Sequence, residues 1–130
     1  MKGDERMNWF EAQTLMETAR DKSKGKPIAN NTRLWEIKNP LMLETGGIGG
    51  YEIRLHGNVI MTIYRHHIEV SDGGWRTLTT KERLNRYLPR GYNVYQKDWE
   101  WYLQHGDDVY DFGDVYYIHD RNGVITRNGE

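Results

Sequence analysis

Hydrophobic residues at the start of the chain recur at helical spacing. Ala12, Leu15, Met16 and Ala19 lie three and four apart, and Asn8 followed by Glu11 has the form of an N-cap with its N3 acid. This pattern predicts a helix over residues 8–21. Residues 22–32 then read as a flexible basic connector, because Asp21-Lys22-Ser23-Lys24-Gly25-Lys26-Pro27 interrupts the helix and Asn30-Asn31-Thr32 has turn composition. Arg33 to Lys38 is expected as a short strand before Asn39-Pro40.

After Thr45-Gly46-Gly47-Ile48-Gly49-Gly50, expected as a mobile loop, the period changes to two. Tyr51, Ile53 and Leu55 alternate with Glu52, Arg54 and His56. Gly57-Asn58 reads as a two-residue hairpin turn, and Val59, Met61 and Ile63 line the returning strand. Ile68 and Val70 mark a third strand before Asp72-Gly73-Gly74, and connections this short make the three an antiparallel meander. Thr79-Thr80-Lys81-Glu82 has the form of a capping box, with Leu84, Tyr87 and Leu88 as the buried side of a short helix that stops before Pro89. Tyr92–Gln96 and Trp99–Leu103 form the next expected hairpin, with Trp99, Trp101 and Leu103 on one face. Val115–His119 and Val124–Thr126 form a last one through Asp120-Arg121-Asn122-Gly123.

The expected class is α+β: an antiparallel β-sheet of meander and hairpins, with an N-terminal helix and a short mid-chain helix. At 130 residues the length suits one domain. Within it, residues 51–103 form the sheet-plus-helix core and residues 104–130 an acidic C-terminal segment. The absence of cysteine excludes a disulfide framework, a thiolate zinc site and a cysteine nucleophile. No apolar run approaches the roughly 20 residues of a membrane-spanning helix, and the polar start Met1-Lys2-Gly3-Asp4-Glu5-Arg6 is unlike a secretory leader.

Charge adds more, because the signs are segregated although the net charge is only −1. Residues 20–38 carry +4, residues 76–97 carry +5, and residues 98–120 carry −7 with no lysine or arginine. The basic runs can collect phosphates, and the acidic run can meet a basic protein. The alternative is that these runs are solvated faces that pair with one another.

The richest candidate chemistry lies in Gly73-Gly74-Trp75-Arg76-Thr77-Leu78-Thr79-Thr80-Lys81. A helix N-terminus offers unpaired N–H groups and partial positive charge. Beside it, Arg76 and Lys81 supply charge, Thr79 and Thr80 supply hydroxyls, and Trp75 supplies a face for a base. These five residues are the expected ligand-binding set for a phosphate on a planar group. A purely structural reading competes with it, in which Gly73-Gly74 is a turn, Thr79 a cap and Trp75 part of the core.

Other motifs point away from catalysis. There is no Walker spacing, and the glycines at 46–50 precede a strand instead of joining strand to helix, although such a loop can still close over a ligand. His66 and His67 are adjacent in an extended segment and so point to opposite faces, and no metal site is expected. Asp107, Asp108, Asp111 and Asp114 lack the spacing of a calcium loop. No nucleophile elbow occurs. No enzyme and no cofactor are expected. Five Trp and nine Tyr against two Phe favour a protein that binds something, because those rings carry a polar handle.

Lys26-Pro27-Ile28-Ala29-Asn30-Asn31-Thr32, Ile53-Arg54-Leu55-His56-Gly57, and Gly74-Trp75-Arg76-Thr77 with Thr79-Thr80-Lys81 and Arg83-Leu84-Asn85 resemble segments of small uncharacterised proteins of tailed bacteriophages and mobile elements. The resemblance covers residues 25–96 and carries no site residues. It implies an accessory protein acting in the host bacterial cytoplasm.

The leading expectation is therefore a non-enzymatic phage protein that captures a phosphate-bearing ligand, a signalling nucleotide or nucleic acid, to counter host antiviral defence. The first alternative is an inhibitor of a host nucleic-acid-handling defence protein, docking through Asp107, Asp108, Asp111 and Asp114. The second is a virion structural or assembly component. No membrane partner is expected, and a homo-oligomer is compatible with each reading.

Overall fold

A computed structural model describes residues 5–112, 115–119 and 125–127. The chain begins with α1 (Trp9–Glu17), a 3-10 turn (Lys22–Lys24), β1 (Lys26–Ala29), β2 (Thr32–Lys38) and a second 3-10 turn (Leu43–Thr45). The meander β3 (Ile48–Leu55), β4 (Asn58–Ile63) and β5 (His67–Ser71) leads into α2 (Leu78–Tyr87). Then come β6 (Tyr92–Lys97), β7 (Glu100–His105), β8 (Asp108–Asp111), β9 (Val115–His119) and β10 (Ile125–Arg127). The class is α+β, as the patterning predicts.

The strands form two antiparallel sheets, one of seven in the order β1-β2-β3-β4-β5-β9-β10 and one of three in the order β6-β7-β8. Period-two alternation sets the core face of the large sheet. Leu34, Ile53, Met61 and Val70 lie in register across four strands, and Tyr51, Ile63, Ile68 and Ile118 make the adjacent row. All eight are buried. They join Trp9, Ala12 and Met16 of α1, Leu84 and Tyr87 of α2, and Val94, Trp101 and Leu103 of the small sheet in one core. The Trp9 ring meets Tyr51 edge-on at 4.9 Å. Burial, with Glu36 and Glu17 nearby, pushes the Tyr51 hydroxyl up to about 12, so it stays neutral in the core.

Several expected boundaries move, each for a local reason. Asn8 caps α1 as predicted, its Oδ1 accepting from the Glu11 N–H at 2.9 Å. The helix ends at Glu17 and not at residue 21, because the Thr18 hydroxyl turns back onto the Leu15 carbonyl at 2.7 Å. The supposed connector 22–32 is largely ordered. Asp21 accepts from the Ser23 amide and hydroxyl, and β1 forms the sheet edge, where Pro27 is tolerated. The glycine loop is shorter than expected, since Gly49 and Gly50 already belong to β3. A Cβ on Gly50 would lie 3.1 Å from the Ile63 carbonyl, so glycine there admits close strand approach. The β3–β4 turn is His56-Gly57, at φ 52° and 82°, and Asn58 opens the returning strand.

The helix α2 also starts earlier than the expected box. Thr77 is the cap, its hydroxyl accepting from the Thr80 N–H at 3.1 Å. The acidic segment contains a strand not foreseen, β8, because Gly106-Asp107 closes a hairpin onto β7. Trp99 is not on the face of Trp101 and Leu103. It sits with Asp98 in the β6–β7 turn, both at positive φ, and is 88% exposed. The β9–β10 pairing agrees with expectation, and β9 additionally joins the large sheet beside β5. The turn expected at Asp120–Gly123 lies outside the described residues.

The small sheet is tied to α2 by one side chain. Asn85 Nδ2 donates to the Val94 carbonyl at 2.8 Å, and Asn85 Oδ1 accepts from the Val94 N–H at 2.7 Å. The amide thus stands in for a neighbouring strand on the edge of β6. Asn85→Ala is expected to destabilise the protein by about 2 kcal/mol, since it strands both main-chain groups of Val94. Urea denaturation measures this, and a cost below about 0.5 kcal/mol would show that water replaces the amide freely.

Candidate functional site

The β3–β4 turn, the β5–α2 connection and the first turn of α2 converge on a cavity of about 420 Å³. Leu55 and Ile60 give it apolar walls, and His56, Asn58, Asp72, Trp75, Thr77, Thr79 and Thr80 complete the lining. Each polar group has a definite state. Asp72 is occupied: its Oδ1 accepts from the Gly74 N–H at 2.7 Å, and its Oδ2 from Arg76 Nε at 3.1 Å. The Thr77 and Thr80 hydroxyls bond each other at 2.9 Å. Among the described residues the His56 ring, the Asn58 amide and the Thr79 hydroxyl have no hydrogen-bond partner. Trp75 is 66% exposed beside them.

The five residues singled out in the sequence therefore divide. Trp75, Thr79 and Thr80 line the cavity, although Thr80 is buried and already bonded to Thr77. Arg76 and Lys81 do not line it. Arg76 donates to Asp72 and, through Nη2, to the Phe112 carbonyl at 2.5 Å, and its guanidinium lies 5.7 Å from the Trp101 ring centre. Lys81 donates to Gln96 Oε1 at 2.9 Å and lies 5.7 Å from the same ring. Both cations thus bind α2 and its approach to the small sheet. His56 and Asn58 were missed by sequence reasoning. The available signal was positional, since both flank the glycine of a hairpin turn and project from the end of the sheet.

The basic run 76–97 is likewise largely engaged within the fold. Arg83 pairs with Glu82 and donates to Thr32 Oγ1 at 2.9 Å and to the Asn30 carbonyl at 3.1 Å. Arg86 pairs with Glu82 and lies 3.6 Å from Glu5. Burial alone would raise the Glu82 carboxyl, but hydrogen bonds from Arg83 and Arg86 hold it below the ordinary carboxylate value.

The acidic candidates stand apart from the cavity. Asp108 and Asp111 bound β8, Asp107 lies in the turn before it, and all three are exposed. Together with Asp98 and Glu100 they form no ion pair among the described residues. Asp114 lies outside the described residues. His66 and His67 do not share a strand, since β5 begins at His67. No group of three or more His, Asp or Glu among the described residues converges as a metal-ligand set. No helix among them is long and apolar enough to cross a membrane.

A family model described as the Kyanoviridae Gp96 protein matches residues 21–126. Comparison with curated proteins finds no match, and comparison with solved structures finds none either.

Two measurements follow from this geometry. Arg76→Ala is expected to cost about 2 kcal/mol in urea denaturation, because it removes a charged donor shared by Asp72 and the Phe112 carbonyl. A loss of ligand affinity with unchanged stability would return Arg76 to the binding set. The depressed Glu82 carboxyl supplies stability that is present above the unfolded-state value and is lost as pH falls through the folded one. Glu82→Gln is expected to flatten the acid limb of the stability–pH curve, and an unchanged limb would show that the pairing is too weak to matter.

Proposed function

From the premise that the chain belongs to the Kyanoviridae Gp96 protein family, and is thus a bacteriophage protein, we propose that it is a non-enzymatic accessory protein that captures a small nucleotide in the Trp75 cavity. It acts in the host cytoplasm, where a captured signalling nucleotide is withdrawn from antiviral defence. The observation that carries this reading is the exposed indole over apolar walls, beside three polar groups with no hydrogen-bond partner among the described residues. An apolar cavity with a few convergent polar groups suits a small ligand. Trp75 offers a stacking face, His56 and Asn58 can read the edge of a base, and Thr79 stands with the first turn of α2 on the side of an anion.

Small nucleotides are favoured over nucleic acid by the state of the cations. Backbone tracking along a strand needs several free lysines and arginines, whereas Arg76, Arg83 and Arg86 are committed within the fold. A second reading, inhibition of a nucleic-acid-handling host protein, is favoured by the carboxylates of residues 98–111, which form no ion pair among the described residues.

Titration with a panel of mono-, di- and cyclic nucleotides, read as thermal shift and calorimetry, tests the capture. One nucleotide class is expected to raise Tm. Trp75→Ala is expected to keep the fold and lose about 1–3 kcal/mol of binding, a roughly 5- to 150-fold weaker Kd. A panel without any shift, together with no small molecule released on denaturing protein purified from bacteria, overturns the reading.

A further inference from the structure

The two edges of the small sheet are treated differently. On the β6 side, the main-chain groups of Val94 that point away from β7 are taken by Asn85. On the β8 side, the Phe112 N–H donates to the Trp101 carbonyl at 2.9 Å, which fixes the alternation of the ladder. Counting back from Phe112, Tyr110 and Asp108 exchange their bonds with β7. The N–H and C=O groups of Val109 and Asp111 therefore point outward, and neither residue has a hydrogen bond to another element among the described residues.

Side chains beside this edge have a matching character. Tyr95, Tyr102 and Asp111 lie in register on the outer face, with the two tyrosine rings stacked at 5.5 Å. Gln104 and Val109 make the neighbouring row, and Val109 is 49% exposed. Asp107, Asp108 and Asp111 are exposed and form no ion pair among the described residues. A second copy of β8 laid along this edge would set these aspartates against their equivalents, which disfavours self-pairing. A basic strand gains where the self-copy loses.

We infer that the open edge of β8 accepts an extended, arginine-bearing segment of a partner protein as a fourth strand. Main-chain bonds to Val109 and Asp111 provide the affinity of such an addition, and alternate side chains provide the specificity. The added residue beside Asp111 lies in the row of the tyrosines. Arginine suits it better than lysine, because a guanidinium forks onto a carboxylate and also stacks on an aromatic face. Two positions along, the residue beside Val109 falls on the same face, where the aliphatic stem of a second arginine covers the half-exposed valine. This inference rests on the partner-binding reading of the acidic segment and is independent of the Trp75 cavity.

The probe is a blocked eight-residue peptide of alternating valine and arginine, titrated into the full-length protein and followed by amide NMR and hydrogen exchange. Binding is expected with new protection of the Val109 and Asp111 amides, and with a Kd at least tenfold tighter than for the valine–lysine peptide. Val109→Pro removes an outward N–H without touching the β7–β8 ladder, so it is expected to weaken binding at least tenfold. Should that variant fail to fold, peptides N-methylated on one or the other alternate set of amides replace it, and only one set is expected to abolish binding. Binding without amide protection, or indifference to both N-methylation patterns, overturns strand addition while leaving an acidic docking face. Absence of binding by any basic peptide overturns both.

Discussion

The bidentate contact of Asn85 with Val94 joins a helix to a sheet edge through main-chain chemistry, and the placement of the small sheet depends on it. A three-stranded sheet has one inner face to bury, and β6 would otherwise leave an unpaired edge inside the molecule. Satisfying that edge with a side-chain amide lets α2 lie against β6 where a fourth strand of the small sheet would otherwise be needed. The buried faces of α2 and of the hairpin, with Leu84, Val94 and Leu103, then close the core from above the large sheet. Arg83 completes the attachment from the other side of the helix, reaching Thr32 and Asn30 at the start of β2.

This arrangement explains where the basic charge of residues 76–97 goes. Three of its arginines act as ties: Arg76 to the end of β8, Arg83 to β2, and Arg86 to Glu82 and Glu5. Sequence arithmetic assigns such a run to the surface field of the molecule. The structure spends most of it on hydrogen-bonded ties between elements that also share the hydrophobic core. Among the described residues the acidic run has no such use: Asp98 and Asp107 lie on turns, Glu100 opens β7, and Asp108 and Asp111 bound the terminal strand β8. The asymmetry between the two runs, invisible in a count of charges, separates a structural set from an exposed one.

Much of the fold was legible because period-two alternation in residues 51–70 and 92–103 fixes both strand identity and the buried face. The misreadings cluster where a side chain competes with the backbone. Thr18 ends α1 early, Asp21 orders a basic segment that composition marks as loose, and Thr77 displaces the cap from Thr79. Such bonds depend on local geometry, and several nearby threonines or acids satisfy the same sequence pattern. For the candidate site, Trp75 and Thr79 were legible through their position before a helix. His56 and Asn58 were not, since the hairpin turn falls one residue earlier than the pattern suggests and brings both to the cavity. Arg76 carried the opposite error: its place in the motif is right, but Phe112, a residue 36 positions away, claims it.

Arg76 also determines how the two candidate surfaces relate. One end of its guanidinium holds Asp72, which lines the cavity, and the other holds the carbonyl of Phe112, which follows β8 directly. Trp101 lies beneath the same group. A charged donor shared between two acceptors cannot strengthen one bond without straining the other, unless both acceptors move with it. The turn that presents Trp75 and the strand that presents Val109 and Asp111 are therefore held at a fixed separation. The hydrogen-bonded cation adds direction to the apolar packing of Phe112 on Trp101. The constraint accounts for an arginine placed next to an exposed tryptophan without itself facing the cavity: its task is to keep the loop that carries the indole in register with the small sheet.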